Sequence, residues 1–318
     1  MTKVLVTGAA GFIGSHLAQR MVTLGHAVRA VDDFSTGRRE NLAEFADQVD
    51  FHDADLADPE ACRRAVEGIE VVFHLAGIPS VPRSMSEPLR THRANVEGTF
   101  QLFESSVAAG VRRVVYSASS SVYGNTPDLP KNEQMPARPR SLYAVQKHVG
   151  ELFGELYAEH YGLEVITLRY FNIFGPRQDP QSEYSAAIPK FIEMMLRGER
   201  PTIFGDGETS RDFTYVDNAV DANVLAMDAR LANGAPINVA CGQRFSLNVL
   251  IEKLNGILGT QLEPIYLPER QGDIRHSVAD IRLAEQVLGY RPRIGFDEGL
   301  ARTVTAMRAR GQRPVAQA

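Results

Sequence analysis

The 318-residue sequence has no tryptophan, only two cysteines and a net charge of only -5. Cys62 and Cys241 lie far apart, and no cluster of cysteine and histidine has the ligand spacing of a zinc site. We therefore expect neither a disulfide framework nor a bound metal. With a small net negative charge, the protein also lacks the positive electrostatic field that attracts nucleic acid, so no nucleic-acid partner is expected.

Long apolar runs are missing as well. None reaches the roughly 20 residues that a bilayer-spanning helix needs. The first residues do not show the charged and then apolar pattern of a secretory leader. We therefore expect no membrane partner and a reducing, cytoplasmic setting. Hydrophobic residues make up 44% of the chain, which suffices for one large core or two joined ones.

Three glycines are regularly spaced near the start of the chain. An apolar run at residues 4–6 leads into Gly8, Gly11 and Gly14, and apolar residues at helical spacing follow. A turn between strand and helix exposes unpaired N–H groups, and glycine lets a pyrophosphate approach them. The spacing is one residue longer than in the usual dinucleotide fingerprint. A turn that only packs the helix on the strand is the alternative.

The following residues alternate between strand and helix patterns. Strands are predicted at 27–33, 49–53, 70–75 and 112–117, and helices at 88–109 and 142–161. This order predicts an α/β fold with a parallel, doubly wound sheet, whose ligands bind at the carboxyl ends of the strands. Polar and small residues collect at these ends. They are Asp32, Asp33, Asp55, Ala76, Gly77 and residues 117–121.

Asp32 indicates which dinucleotide the turn would hold. It lies 18 positions after Gly14, near the spacing expected for the acid that binds an adenosine ribose. A carboxylate accepts hydrogen bonds from ribose hydroxyls and repels a 2′-phosphate. Arg38 and Arg39 follow closely and offer the opposite charge, but Asp32 favours NAD over NADP.

Three further residues suggest proton transfer. Tyr143 and Lys147 are four apart on a predicted helix, so their side chains are neighbours on one face. A nearby ammonium lowers the pKa of a phenol, and a serine hydroxyl such as that of Ser119 can orient a substrate alcohol. A packed tyrosine beside a surface lysine is the alternative. With NAD, the three groups suit removal of a proton from an alcohol while its carbon gives up hydride.

The sequence resembles the extended short-chain dehydrogenase/reductase family, and within it the nucleotide-sugar 4-epimerases. The resemblance covers the chain to about residue 305, and UDP-N-acetylglucosamine 4-epimerases are the most similar branch. Its motifs are residues 7–14, Ser119, and residues 143–147, 169–176, 205–212 and 270–277. The resemblance implies a Rossmann sheet, a tightly bound and recycled NAD, and a smaller, mainly C-terminal α/β domain that binds a UDP-sugar.

The resemblance also implies roles for individual residues. Tyr143 would be the base, Lys147 its electrostatic partner and Ser119 the contact to the substrate hydroxyl. The implied cofactor contacts are Gly8, Gly11, Phe12, Ile13, Gly14, Asp32, Asp33, Asp55, Leu56, Leu75, Ala76, Gly77, Asn95, Ser117, Tyr143, Lys147 and Tyr170. The implied substrate contacts are Ser119, Ser120, Asn172, Ile188, Thr202, Phe204, Arg211, Arg270, Asp273 and Ser277.

The same resemblance narrows the reaction and the sugar. Related dehydratases and decarboxylases carry acids where this chain has Ser120 and Ser121, so a 4-epimerase is favoured. In the enzymes of this family that are limited to UDP-glucose and UDP-galactose, the resemblance places a tyrosine at the position that Ser277 occupies here. A serine leaves room for a 2-acetamido group, which predicts interconversion of UDP-GlcNAc and UDP-GalNAc, with UDP-Glc and UDP-Gal also accepted. The alternatives are a UDP-glucuronate 4-epimerase, with Arg83 or Arg177 on the carboxylate, and a non-catalytic NAD(H)-binding regulator.

The expected domain organisation is interleaved. Residues 1–169 and about 216–240 would form the NAD-binding Rossmann domain, and about 170–215 and 241–310 the sugar-nucleotide-binding domain. Residues 311–318 are expected to form a tail. A homodimer through the helices at 90–109 and 141–161 is implied by the resemblance.

Overall fold

The computed structural model describes residues 1–180, 187–269 and 274–311. The strands in these ranges are β1 (Lys3–Thr7), β2 (Ala27–Asp32), β3 (Val49–Asp53), β4 (Val71–His74), β5 (Arg113–Ser119), β6 (Glu164–Tyr170), β7 (Ile173–Phe174), β8 (Thr202–Phe204), β9 (Ser210–Arg211), β10 (Thr214–Tyr215), β11 (Asn233–Val239), β12 (Phe245–Ser246) and β13 (Ile265–Leu267). The helices are α1 (Phe12–Thr23), α2 (Pro59–Val66), α3 (Val81–Ser86), α4 (Pro88–His92), α5 (Gly98–Ala108), α6 (Leu142–Tyr161), α7 (Ala187–Leu196), α8 (Val216–Ala226), α9 (Leu247–Leu258), α10 (Arg282–Leu288) and α11 (Phe296–Gly311).

A seven-stranded sheet forms the centre of the molecule. Its order is β11-β6-β5-β4-β1-β2-β3, and every neighbouring pair is parallel. The chain winds outward from β1 in one direction and from β4 in the other, so the predicted doubly wound α/β fold is confirmed. This order creates a crevice at the carboxyl ends of β1 and β4, where ligands of such sheets bind.

Local sequence signals explain several element boundaries. Asp58 caps α2 by accepting a hydrogen bond from the N–H of Glu60, and proline follows the cap, as the sequence predicts. Ser141 caps α6 by accepting from the N–H of Ala144. The same helix ends at Gly162 in the left-handed conformation. Capping at both ends fixes the position of α6 along the sheet.

The single helix predicted at 88–109 is interrupted in its middle in the structure. The structure has α4, a π-helical turn at Arg93–Glu97 and α5. The extra residue of a π turn redirects the side chains around it. Asn95 lies in this turn, is buried, and accepts a hydrogen bond from the N–H of Ile78 at 2.7 Å. Periodicity alone did not reveal this turn, because an apolar pattern continues through it.

Short strand pairs lie outside the central sheet. β10 pairs with β7 and β13 with β8 in parallel, while β12 and β9 are antiparallel. All six of these strands fall within the ranges predicted for the sugar-nucleotide-binding domain, and β10 lies at the end of the first range. β11 pairs with β6, as expected for a return to the main sheet. The division into two domains stays a prediction, and the predicted tail lies outside the described residues except for Gly311.

No helix in the described part of the chain is long and apolar enough to cross a membrane.

We expect Gly150→Ala to destabilise the fold by roughly 1–3 kcal/mol, because a buried site has no room for a methyl group. An added Cβ at Gly150 in α6 would lie 2.2 Å from the hydroxyl of Tyr116, a fully buried side chain. Gly256→Ala in α9 is the matched control, since nothing lies within 4 Å of its Cβ position. That change should stabilise by roughly 0.5–1 kcal/mol through helix propensity. Equal unfolding midpoints for the two variants would contradict the packing of α6 on β5.

Candidate active site

The glycine turn leaves the N-terminus of α1 open. Gly8 has φ of 66°, and a Cβ there would lie 2.8 Å from the backbone nitrogen of Ala76. A Cβ at Gly14 would lie 2.0 Å from the carbonyl oxygen of Gly8. No side chain caps α1, which begins after Gly11. The glycines therefore both pack the helix on the strand and leave its first N–H groups, at residues 12 and 13, available to a pyrophosphate.

Asp32 lies at the end of β2 beside this turn. Its carboxylate accepts hydrogen bonds from the N–H of Ala10 at 2.9 Å and of Phe34 at 2.8 Å. Burial raises the pKa of Asp32 above its ordinary value, and these two donors oppose the rise. Asp33 differs, because it is exposed and accepts from the N–H of Ser35. The buried carboxylate beside the turn is positioned to receive a ribose, whereas its neighbour faces solvent.

The two arginines that follow are paired with carboxylates. Arg38 contacts Asp179 at 2.7 Å, and Arg39 contacts Asp53 at 2.9 Å. Arg39 also lies over the ring of Phe34 at 3.9 Å. Since both guanidinium groups have anionic partners, the geometry around Asp32 fits NAD better than a cofactor with a 2′-phosphate.

Asp55 and Leu56 follow β3 at the same edge of the sheet. The carboxylate of Asp55 accepts from Nε of Arg93 at 3.1 Å and from its Nη2 at 3.0 Å. Its other oxygen accepts from the N–H of Ala57. Leu56 is 7% exposed. This segment is tied to the π-helical turn that carries Asn95, so the two predicted cofactor regions are connected.

A buried hydrogen-bond chain holds the end of β4. The hydroxyl of Thr99 donates to the carbonyl of Asn95 at 2.7 Å, which leaves its oxygen to accept from Nε2 of His74 at 3.0 Å. Nδ1 of His74 then accepts from the hydroxyl of Thr7 at 2.9 Å. Thr7 in turn accepts from the N–H groups of residues 75 and 76. Burial lowers the pKa of His74 to about 3, so the ring is neutral and the chain keeps one direction.

Gly77 brings the end of β4 close to α6. Its φ is 147°, and a Cβ there would lie 2.6 Å from Oδ1 of Asn95 and 3.9 Å from Nζ of Lys147. The amide of Asn95 donates to Oε1 of Gln146 at 2.8 Å. Gln146, which the sequence analysis did not single out, therefore joins the π-helical turn to the helix that carries Tyr143. A larger residue at Gly77 would separate these elements.

Tyr143 and Ser119 meet at the start of α6. The N–H of Tyr143 donates to the hydroxyl of Ser84 at 2.9 Å, which joins α6 to α3. Burial raises the pKa of Tyr143 above its ordinary value, while a hydrogen bond with Ser119 lowers it. The hydroxyl of Ser119 also accepts from the N–H of Ser121. The predicted base and the predicted substrate-orienting serine are thus in contact.

Lys147 lies one turn further along α6. Its ammonium donates to the carbonyl of Ser117 at 2.7 Å and lies 5.1 Å from the ring centroid of Tyr116. The side chain is 6% exposed. Burial lowers the pKa of Lys147 to about 8, and the charge of Glu151 opposes this. The side chain therefore remains mainly an ammonium at pH 7 but loses its proton more readily than an exposed lysine.

Tyr170 completes this edge of the sheet. It pairs in register with Ser119 at the end of β6, is buried, and accepts a hydrogen bond from the amide of Asn223. Burial raises the pKa of Tyr170 to about 12, and hydrogen bonds with Asn223 and Ser117 oppose the rise. The phenol is therefore neutral and serves packing beside Ser117. Ser120 is half-buried in the 3-10 turn that follows Ser119.

The predicted substrate contacts lie on several short elements. Asn172 follows β6 with φ of 37°, and its carbonyl accepts from the N–H of Thr214. Thr202 and Phe204 bracket β8, and Ile188 is buried in α7. Arg270 and Asp273 lie outside the described residues, as do residues 185 and 186 of the segment before α7.

Arg211 and Ser277 lie on adjacent segments. The N–H of Ser277 donates to the carbonyl of Ser210, and Nη1 of Arg211 donates to the same oxygen at 2.9 Å. His276 also contacts the hydroxyl of Ser210, at 2.8 Å. Desolvation and then the charges of three arginines, Arg244 first among them, lower the pKa of His276. Arg244 therefore adds positive charge beside a neutral His276, and the sequence analysis missed Arg244 because it approaches Arg211 only through the pairing of β9 with β12.

Full-length relatives share this arrangement of elements. The model of the NAD dependent epimerase/dehydratase family matches residues 4–240. A UDP-glucose 4-epimerase of Mycolicibacterium smegmatis is 41% identical over 98% of this chain and 100% of its own. The structure of a UDP-N-acetylglucosamine 4-epimerase from Methanobrevibacter ruminantium, in complex with UDP-N-acetylmuramic acid, has a TM-score of 0.93 at 39% identity and covers 97% and 99% of the two chains.

A third relative acts on a different sugar. A variant UDP-glucuronic acid 4-epimerase from Bacillus cereus, solved with NAD and a fluorinated UDP-glucuronic acid, has a TM-score of 0.90 at 30% identity, with 97% of this chain and 99% of its own covered. The chain belongs to the NAD dependent epimerase/dehydratase family. The predicted family and the cofactor NAD are thereby confirmed. Within this family the chain's similarity lies with UDP-sugar 4-epimerases, as the sequence motifs indicate.

The buried and exposed aspartates after β2 provide a matched test of this epimerase/dehydratase site. Asp32→Ala should reduce the NAD retained by the purified protein roughly tenfold or more, because hydrogen bonds to a charged acceptor are lost. Asp33→Ala should leave the NAD content unchanged, since that carboxylate is exposed. NAD released by denaturation is measured per mole of protein. Equal NAD contents in the two variants would contradict the placement of the ribose at Asp32.

Proposed function

We propose that the chain is an NAD-dependent UDP-sugar 4-epimerase that interconverts UDP-GlcNAc and UDP-GalNAc and also accepts UDP-Glc and UDP-Gal. The observation that carries this proposal is the placement of Ser119 at the end of β5 next to Tyr143 and Lys147 on α6, with Lys147 donating to the carbonyl of Ser117 on β5. The 4-epimerases among the full-length relatives support the reaction. Acids suited to dehydration are absent next to Ser119, where the chain has two serines.

Proton transfer at the sugar is assigned to Tyr143. Its phenolate would accept the proton of the 4-hydroxyl group and become the neutral phenol, with Ser119 holding that hydroxyl in line. A buried phenol resists ionisation, so the reaction needs a positive charge near Tyr143, and the ammonium of Lys147 provides it. Bound NAD supplies hydride acceptance at C4 and hydride return. After the 4-keto sugar turns over, Tyr143 returns the proton, which leaves the protein in its starting state.

Cofactor retention follows from the same cycle. The hydride taken from one face of the sugar must return to the other, so NAD has to stay bound between the two transfers. The glycine turn, Asp32 and the cation of Lys147 would hold it from three directions. The cationic region around Arg211 and Arg244 suits the diphosphate of the substrate and would anchor UDP while the hexose turns.

Tyr143→Phe should lower turnover of UDP-GalNAc by roughly 10²–10⁴-fold, the usual range for loss of a general base. NAD content and the unfolding midpoint should stay near those of the wild type. Tyr161→Phe, at the exposed end of the same helix, is the control and should keep full activity. Turnover is followed by separating UDP-GlcNAc from UDP-GalNAc. Unreduced activity of Tyr143→Phe would exclude its role in proton transfer.

The size of residue 277 is proposed to set the choice of sugar. Ser277→Tyr should lower kcat/KM for UDP-GalNAc at least tenfold more than for UDP-Gal, because the ring would fill space needed by the acetamido group. Ser277→Ala, which adds no bulk at the same position, is the control and should keep the wild-type ratio of the two activities. Both substrates are measured with each variant. An equal loss on the two sugars would contradict the pocket-size argument.

A UDP-glucuronate 4-epimerase is the second candidate, since one relative acts on that sugar. The two arginines proposed for its carboxylate differ in their surroundings. Arg177 donates to Oε1 of Gln19 at 2.7 Å and lies 3.4 Å from Glu44, which directs it to the surface of α1. Arg83 is half-buried and precedes Ser84, the residue that accepts from the N–H of Tyr143. Arg83 is therefore the better candidate, and preferential turnover of UDP-glucuronate that is lost in Arg83→Met would favour this alternative.

A non-catalytic NAD(H)-binding regulator would give a different result. Such a protein would retain NAD yet turn over no UDP-hexose in a substrate panel. The contact between Ser119 and Tyr143 and the buried Lys147 argue against it, because cofactor binding alone does not require this arrangement.

We also propose a homodimer. An apolar strip runs along α5 and α6 and includes side chains that are 40–49% exposed: Phe100, Leu142, Val145, Leu152 and Leu156. Large apolar side chains aligned on two neighbouring helices are typical of an interface with a second copy. A dimer mass in sedimentation equilibrium is the expected result.

A further inference from the structure

A buried ion pair lies directly behind the proposed catalytic groups. Glu151 of α6 and Arg169 of β6 form two parallel hydrogen bonds of 2.8 Å, from Nε to Oε1 and from Nη2 to Oε2. Their side chains are 2% and 5% exposed. A buried pair of charges is costly to desolvate and is weak evidence for stability by itself. Its location therefore suggests a different role.

Glu151 lies on the same face of α6 as Lys147. The two residues are four apart, the spacing at which helical side chains are neighbours. Glu151 is the carboxylate that opposes the loss of the Lys147 proton on burial. Its two oxygens are held by Arg169, and one of them also contacts Nδ1 of His148 at 3.0 Å. The carboxylate is thus fixed at one distance from the ammonium.

Arg169 connects the same pair to the turn that carries Ser119. Its guanidinium carbon lies 4.7 Å from the ring centroid of Tyr123, which ends the 3-10 turn Ser120–Tyr123. The hydroxyl of Tyr123 donates to Oδ1 of Asn238 on β11 at 2.7 Å. Tyr123 is 1% exposed, so the turn cannot shift without moving Arg169.

We propose that Glu151 and Arg169 are positioning residues for the reaction: they fix the Ser119 turn against α6 and keep Lys147 in its ammonium form beside Tyr143. This inference rests on the proposed function, since it assigns Lys147 a role as a cation. Both side chains are buried behind α6, so neither is placed to touch substrate or cofactor. They act through Lys147 and through Tyr123.

Other titratable groups face these residues and must be included in the prediction. Around Lys147 they are His74 on β4, Tyr116 on β5, and Tyr143 and Glu151 on α6. Around the pair they are His148 on α6, Tyr123, and Glu133, whose pKa burial raises while the charge of Arg169 opposes the rise. His74 and Tyr116 are neutral near pH 7, because burial lowers the pKa of His74 to about 3 and raises that of Tyr116 well above its usual value. Glu151 is therefore the charge whose removal should change Lys147 most.

Glu151→Gln tests the electrostatic part. The carboxylate raises the pKa of Lys147, so its removal should lower that pKa below about 8. Activity requires the ammonium and is lost as the pH rises through the pKa of Lys147. In Glu151→Gln this loss should begin at a lower pH than in the wild type, so that the alkaline limb of kcat/KM moves downward by roughly one pH unit or more. Glu155→Gln, an exposed position one turn further along α6, is the matched control and should keep the wild-type profile.

A second measurement does not depend on turnover. Deprotonation of Lys147, followed as a function of pH by NMR of lysine labelled with ¹³C at Cε, reports the free amine without a reagent having to reach the buried side chain. It should begin at lower pH in Glu151→Gln than in the wild type and Glu155→Gln. If the wild type epimerises no UDP-hexose, the proposed function fails, while this titration still tests the link between Glu151 and Lys147.

A double variant keeps the proposal testable in case Glu151→Gln does not fold. Glu151→Gln leaves Arg169 buried without its partner, whereas Glu151→Leu with Arg169→Met removes both charges and keeps apolar volume. The double variant should fold and displace the alkaline limb and the Lys147 titration downward, but by less than Glu151→Gln, because the positive charge of Arg169 is removed together with the carboxylate. Wild-type pH profiles in this variant, with only a changed unfolding midpoint, would overturn the proposal and reduce the pair to a structural role.

Discussion

The site depends on keeping one positive charge, the ammonium of Lys147, inside the protein. Its direct partner is the carbonyl of Ser117, and burial already lowers its pKa to about 8. In the proposed reaction the phenol of Tyr143 depends on this charge, because its own burial raises its pKa. The ion pair behind α6, the capped start of that helix and the closeness of Gly77 all serve to keep the ammonium in one place.

Rigid hydrogen-bond chains explain how three separate elements meet at this point. Thr7, His74 and Thr99 join β1 and β4 to α5, and Asn95 joins the loop after β4 to Gln146 on α6. A neutral His74 lets every donor in the chain find an acceptor. The cofactor edge of the sheet and the proton-transfer helix are therefore built as one unit. A shift at the glycine turn would be transmitted to Lys147.

The sequence predicted local features well. The glycine turn, the acid at the end of β2 and the pairing of Tyr143 with Lys147 depend on spacing within one or two elements, and the family motifs extended this across the chain. Long-range partners were not predictable in this way. The π-helical turn, the His74 chain and the Arg169 pair each depend on side chains that meet only after the sheet has formed. The different surroundings of Arg83 and Arg177 belong to the same class.

The central claim is that one NAD molecule takes a hydride from C4 and returns it to the same sugar. The most direct measurement is epimerisation of UDP-GalNAc labelled with deuterium at C4, using the purified protein without added NAD. The account predicts UDP-GlcNAc that retains the deuterium at C4, as measured by mass spectrometry and NMR. Loss of the label to solvent, or turnover only when NAD is supplied continuously, would contradict it.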